Sequence, residues 1–183
     1  MGSKQKKLST RELCYIGIFT AIVAVGAQIH IPQPGGIPFT LQAWAIGLAG
    51  LVLGPKCGAI VAIIYALLGA VGAPVFHAFQ GGMGIIVGRT GGFVLSFPLL
   101  ALLAGLGERK EGIAWSFLGL ALGNFVNLAS GMLYFSWVTS LSIPASFGYS
   151  VAPFIAVTIV MIAVLPFLSK SIKFAMNKAK ITI

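Results

Sequence analysis

Carboxylates are the scarcest chemistry in this 183-residue chain, which holds three glutamates, Glu12, Glu108 and Glu111, and no aspartate. General acid and base work calls for paired carboxylates, and the apolar body of the chain offers none. Nor is any acid left inside an apolar run to carry protons across a bilayer. Neither HExxH nor a comparable ligand cluster occurs, and no GxxxxGK[ST] phosphate loop does. The two histidines, His30 and His77, stand 47 positions apart. Cys14 and Cys57 lack CxxC spacing and lie in or beside apolar runs, as small buried hydrophobes do. GGMGIIVG resembles a dinucleotide fingerprint only loosely, with no acidic residue about 20 positions on. These absences argue against catalytic residues, a metal site, a disulfide and a bound cofactor.

What the chain has in abundance is apolar surface. Hydrophobic residues make up 58%, charged residues 8%, and the mean hydropathy is +1.01. Soluble domains carry about 25% charge, so this is an integral membrane protein. At roughly 20 apolar residues per crossing, six helices fit: 11–30, 39–54, 57–73, 92–106, 113–140 and 151–168. The expectation is an all-α membrane protein, residues 1–183 forming one transmembrane domain with basic tails at about 1–10 and 169–183. Ser9 or Thr10 is placed to cap the first helix with Glu12 in its first turn. That helix is uncleaved, since its apolar run exceeds a signal-peptide core and no small-residue cleavage motif follows. IPQPGGIP at 31–38 forms a turn or gate, LGPK at 53–56 a tight break, Pro98 a kink, and SIPASFGYS at 142–150 another break.

The net charge of +9 does not point to nucleic acid, because the basic residues flank apolar runs instead of forming a patch. With six spans, eleven of the twelve fall on one side: Lys4, Lys6, Lys7, Arg11, Lys56, Arg109, Lys110, Lys170, Lys173, Lys178 and Lys180. Cytoplasmic flanks collect such residues, so both termini are expected in the cytoplasm. Arg89 is the exception. It lies in the glycine-rich stretch GAPVFHAFQGGMGIIVGRTGGF, 72–93, where a guanidinium could pair with a carboxylate and backbone N–H groups could approach a ligand. Phe76, Phe79 and Phe93 supply apolar walls, and His77, Gln80, Thr90, Asn124 and Asn127 are the polar candidates. Gly17, Ala21 and Ala24 put small side chains on one face of the first helix, where another helix can approach closely.

The run PFTLQAWAIGLAGLVLGPKCGAIVAIIYALLGAVGAPVF, 38–76, followed by GRTGGF at 88–93, resembles the BioY family, the biotin-specific S-components of energy-coupling-factor (ECF) transporters. The resemblance implies the S-component fold in a prokaryotic plasma membrane, a vitamin ligand bound from outside, and a complex with a transmembrane coupling subunit and two ATPases. It makes Gly17, Ala21 and Ala24 the docking face for that subunit. Two departures stand out. Where the family has GPTGG this chain has GRTGG, and where it has PFxPGDxxK this chain has PFIAVTIVM, so Thr158 and Met161 occupy the Asp and Lys positions. The expected ligand is therefore biotin or a less polar alkyl carboxylate such as lipoate, with Arg89 on its carboxylate. A passive solute facilitator on the same bundle is the competing class.

Overall fold

A computed structural model describes residues 8–110 and 112–179. Lys4, Lys6, Lys7, Glu111 and Lys180 therefore lie outside the described residues. Among the described residues, seven α-helices and one small hairpin make up the regular structure, together with a 3-10 turn at His77–Phe79. Helix α1, Thr10–Gln28, opens with a reciprocal cap. The Ser9 hydroxyl accepts the Glu12 N–H at 3.2 Å, and the Glu12 carboxylate accepts the Ser9 N–H at 2.6 Å. α1 ends two residues before His30, which instead begins strand β1, His30–Ile31. β1 pairs antiparallel with β2, Phe39–Thr40, in the register His30 to Thr40 and Ile31 to Phe39.

The second and third expected spans form one element, α2, Gln42–Ala70, but Gly54 at φ +81 breaks it. That left-handed conformation suits glycine, and Pro55 then starts the second arm. The two arms fold back on one another: a Cβ at Gly58 would lie 2.6 Å from the Gly50 Cα. At the far end of the pair, Gln42 Nε2 donates to the Tyr65 hydroxyl at 2.6 Å. The first arm, 42–53, is only about 18 Å long at 1.5 Å per residue, well short of the hydrocarbon thickness. By length and hydropathy, five helices can cross a membrane: α1, α2, α4 at Gly91–Glu108, α5 at Ile113–Thr139 and α7 at Ala152–Lys178.

Two segments carry more helix than expected. The break at SIPASFGYS contains helix α6, Ile143–Ser150, with Pro144 in its first turn, where no N–H is needed. The segment from Lys170 to Lys178 is not a tail but the last part of α7; lysine and alanine favour helix, so the helix outlasts its apolar run. α4 runs through Pro98 as one helix. Between 72 and 93 the chain makes the 3-10 turn and the one-turn helix α3, Met83–Ile86.

Small residues set the spacing of the bundle. A Cβ at Gly50 would collide with the Ala101 carbonyl oxygen, one at Gly105 with the Pro55 backbone, and one at Gly107 with the Trp115 carbonyl oxygen. In lipid, such close backbone approach supplies the packing that drives helix association. Tyr65, Phe76, Val61 and Leu100 fill the core. Cys57 lies beside Glu12, Gly105 against Pro55, and Lys173 pairs with Glu108. The α1 start, the α2 turn, the α4 end and the α7 end thus share one end of the bundle, and the described basic residues other than Arg89 belong to these segments or flank them. Arg89 sits at the opposite end, its guanidinium against Gly36 of the 31–38 loop.

Candidate ligand-binding site

A cavity enclosing about 760 Å³ of atom-free space, partly open to solvent, lies at that second end. Helical spacing explains its walls. α7 contributes Phe154, Val157, Thr158 and Met161 at i, i+3, i+4 and i+7; α5 contributes Asn124, Asn127 and Leu128; α4 contributes Phe93, Val94 and Phe97. Gln42, Ala43 and Trp44 enter from the start of α2, Ile85 from α3 and Thr90 from the residue before α4. Ile37 to Thr40 lie across it as a roof, so the 31–38 segment covers the cavity with its last residues. Gly35 packs this loop on α6, since a Cβ there would lie 3.0 Å from Tyr149.

The polar groups are oriented by the fold. Asn127, buried on α5, donates through Nδ2 to the Phe93 carbonyl at 2.9 Å and to Ser96 Oγ at 2.8 Å. Asn124 donates through Nδ2 to the Leu120 carbonyl at 2.9 Å. Both amides therefore keep their carbonyl oxygens as acceptors for a ligand. Gln42 is held by Tyr65, whose hydroxyl donates onward to the Val75 carbonyl at 3.0 Å. Among the described residues no Asp, Glu, Lys or Arg lines the cavity, and His77 is the one lining group that titrates near neutrality. Burial, and secondly the neighbouring His30, push the His77 pKa below its ordinary value.

His77 is carried on a strained turn. Ala78 and Phe79 both adopt positive φ, at 53° and 56°, a conformation costly for residues other than glycine. Gln28 of α1 clamps this turn: its Nε2 donates to the Phe76 carbonyl at 3.1 Å, and its Oε1 accepts the Phe79 N–H at 2.9 Å.

Of the ten residues expected to contact a ligand, seven line the cavity: Phe76, His77, Thr90, Phe93, Asn124, Asn127 and Thr158. Arg89, Phe79 and Gln80 do not; all three are exposed, Phe79 because its left-handed turn points it outward at 71% exposure. Met161 joins Thr158 in the wall. Sequence reasoning missed Trp44, Phe97 and Phe154, because in an apolar run a cavity wall has the same composition as a lipid-facing or packed face. It also missed Gln42, whose amide just ahead of a long apolar run was a usable signal. On α1, Gly17 and Ala21 are exposed and a Cβ at Gly17 would meet nothing within 4 Å, whereas Ala24 is half-buried against the core.

The BioY family model matches residues 3–178. The chain belongs to the BioY family. A biotin transporter BioY of Thermotoga maritima is 49% identical over 106 residues, covering 57% of this chain and 62% of that protein. The chain thus matches a little under two thirds of that relative's length. The biotin transporter BioY of Rhizobium etli is 33% identical over 157 residues, covering 79% of this chain and 84% of the other. A crystal structure of the S-component for biotin from an ECF-type ABC transporter superposes with a TM-score of 0.81 at 21% identity, over 91% of this chain and 95% of that one. That likeness shows the fold. With its apolar helices, this BioY chain is a multi-pass protein of the prokaryotic plasma membrane, in a family of transport proteins and not of enzymes.

Proposed function

We propose that this protein is the substrate-binding S-component of an ECF-type uptake transporter and that it binds biotin from outside the cell. The observation that carries the reading is the roofed, uncharged cavity built by α2, α4, α5 and α7 at the end away from the clustered basic residues, in a chain whose relatives are named biotin transporters. Basic flanks mark the cytoplasmic side, which puts the cavity outside and both termini inside. The two arms of α2, with α1, α4, α5 and α7, then make six membrane segments. Biotin carries two ureido N–H donors, and the free carbonyl oxygens of Asn124 and Asn127 suit them; Thr158 and Gln42 are the other polar contacts. The aromatic wall of Phe39, Trp44, Phe76, Phe93, Phe97 and Phe154 suits its thioether ring.

Arg89, Phe79 and Gln80 are assigned to the rim. There Arg89 steers an anionic ligand by its field. Neither lipoate nor a passive facilitator gains support from the relatives described above, which are named biotin transporters. Gly17 and Ala21 form the exposed part of a docking face for the coupling subunit, which with two ATPases supplies the energy this chain has no motif to harvest.

Biotin titration of the purified protein, together with co-purification from cells expressing the coupling module, tests the assignment. Submicromolar binding and a recovered complex are expected; absence of both overturns it. Ala21→Trp should abolish recovery of the complex and leave biotin affinity within about twofold, since the change lies on the outer face of α1.

A further inference from the structure

The cavity poses a charge problem. Biotin is an anion at neutral pH, and burying a carboxylate without an opposite charge is costly. Its walls carry no cation. Arg89 is exposed and reaches the roof at Gly36 without lining the cavity. One lining group can take up a proton and become a cation, namely His77, which stands edge-on to His30 with ring centroids 6.0 Å apart. His30 Nδ1 lies 3.0 Å from the Gln28 carbonyl oxygen. A carbonyl only accepts, so Nδ1 carries the hydrogen and Nε2 of the neutral ring keeps its lone pair.

The groups around His77 are otherwise uncharged. α1 presents Gln28, α2 presents Gln42 and Tyr65 bonded to each other, and Thr90, Asn124, Asn127 and Thr158 face the same space from the other helices. Arg89 is the described fixed charge at this end of the bundle, and the described acids Glu12 and Glu108 belong to the opposite end. In the empty cavity His77 is held neutral by burial and by His30. A carboxylate at hydrogen-bond distance acts the other way and favours the imidazolium.

We propose that His77, with His30 beside it, is the carboxylate subsite of the cavity, and that binding takes up a proton. The ligand enters as an anion, one proton moves from solvent to the His77 imidazole, and the resulting imidazolium donates to the carboxylate. No covalent bond forms. The proposal rests on biotin being the ligand, and it orients that ligand with its carboxylate at the strained turn and its ureido ring toward Asn124 and Asn127.

The sign of the pH dependence follows. Binding raises the His77 pKa from its depressed value, so affinity strengthens as pH falls through the bound-state pKa and levels off below the free-state one, by up to about tenfold per unit between them. The ligand's own carboxyl, with a reference pKa of about 4.3, stays ionised above pH 6.

The test is calorimetric titration of wild-type protein with biotin and with uncharged biotinamide between about pH 8 and pH 6, in phosphate and in Tris, whose ionisation heats differ. Expected are tighter biotin binding at the acid end, a buffer-dependent heat showing proton uptake, and neither effect with biotinamide. His77→Gln should flatten the biotin profile and remove the uptake, and should weaken biotin more than biotinamide. His30→Gln should shift the window to higher pH, because it removes the neighbour whose field disfavours the His77 imidazolium.

Biotin affinity that is flat with pH, or weaker in acid, overturns the subsite while leaving biotin as ligand; so does loss of the preference for biotin over biotinamide in Arg89→Gln alone. Failure of both biotin and biotinamide to bind at any pH overturns the functional assignment itself, and the subsite with it. The wild-type comparison decides the matter even if a variant does not fold.

Discussion

At the end of the bundle that gathers Arg11, Lys56 and Arg109, polarity is ionic. Glu108, with its side chain only 10% exposed, takes Lys173 at 2.9 Å and the hydroxyl of Ser116, and α1 opens on the Ser9–Glu12 cap. At the cavity end, polarity is carried by the uncharged Gln42, Asn124, Asn127 and Thr158, the three amides bonded to a tyrosine hydroxyl or to helix carbonyls. The difference follows from where water is. An ion pair survives near the headgroups, where each charge has its partner, whereas charges facing a cavity that a ligand dries must be matched by that ligand or neutralised. An uncharged wall therefore leaves ligand recognition to hydrogen-bond geometry and to any charge the ligand itself induces.

Four substitutions probe that contrast, in descending size of effect. Gly50→Leu forces a side chain into the Ala101 backbone between the two ends; a loss of about 3 kcal/mol or more is expected, seen as aggregation or a collapsed melting temperature in detergent. Asn127→Leu removes donors from the Phe93 carbonyl and Ser96 and an acceptor from the cavity. Biotin affinity should fall roughly 10- to 100-fold by titration, equivalent to about 1.4 to 2.8 kcal/mol. Glu108→Gln cuts the ion pair to a Lys173 whose side chain is 35% exposed, so about 1 kcal/mol of stability should go with biotin affinity unchanged; a change in affinity would show that the two ends are coupled. Arg89→Gln should leave equilibrium affinity within about threefold and slow association in low salt, an effect that disappears as salt is raised.

Most of the scaffold was legible in residue order. Ser9 and Glu12 announced the start of α1, and Gly54 with Pro55 announced the turn of α2, because capping and left-handed turns are local events. Lys170 to Lys178 misled, since hydropathy reports where apolar character stops and says little about where a helix stops. At the site, Asn124 and Asn127 stood out as amides in an apolar run and do line the cavity. Arg89 stood out for the same reason, yet it sits on the rim, because charge counting finds an unusual residue without saying which way it faces. Trp44, Phe97 and Phe154 carried no local mark at all.

By itself the sequence determined that this chain lives in a membrane, that its basic residues flank apolar runs, and, through PFTLQAW and TGGF, which family it belongs to. These are properties of composition and order, and they survive any ignorance of contacts. Only the tertiary structure decided that His30 meets His77 across 47 positions of chain. It likewise placed Thr158 and Met161 opposite the loop that roofs the cavity. Those juxtapositions depend on which helix faces pack together, and in a chain apolar on nearly every face the pattern of hydrophobicity cannot choose among them; the close approach of glycines and the buried amides do.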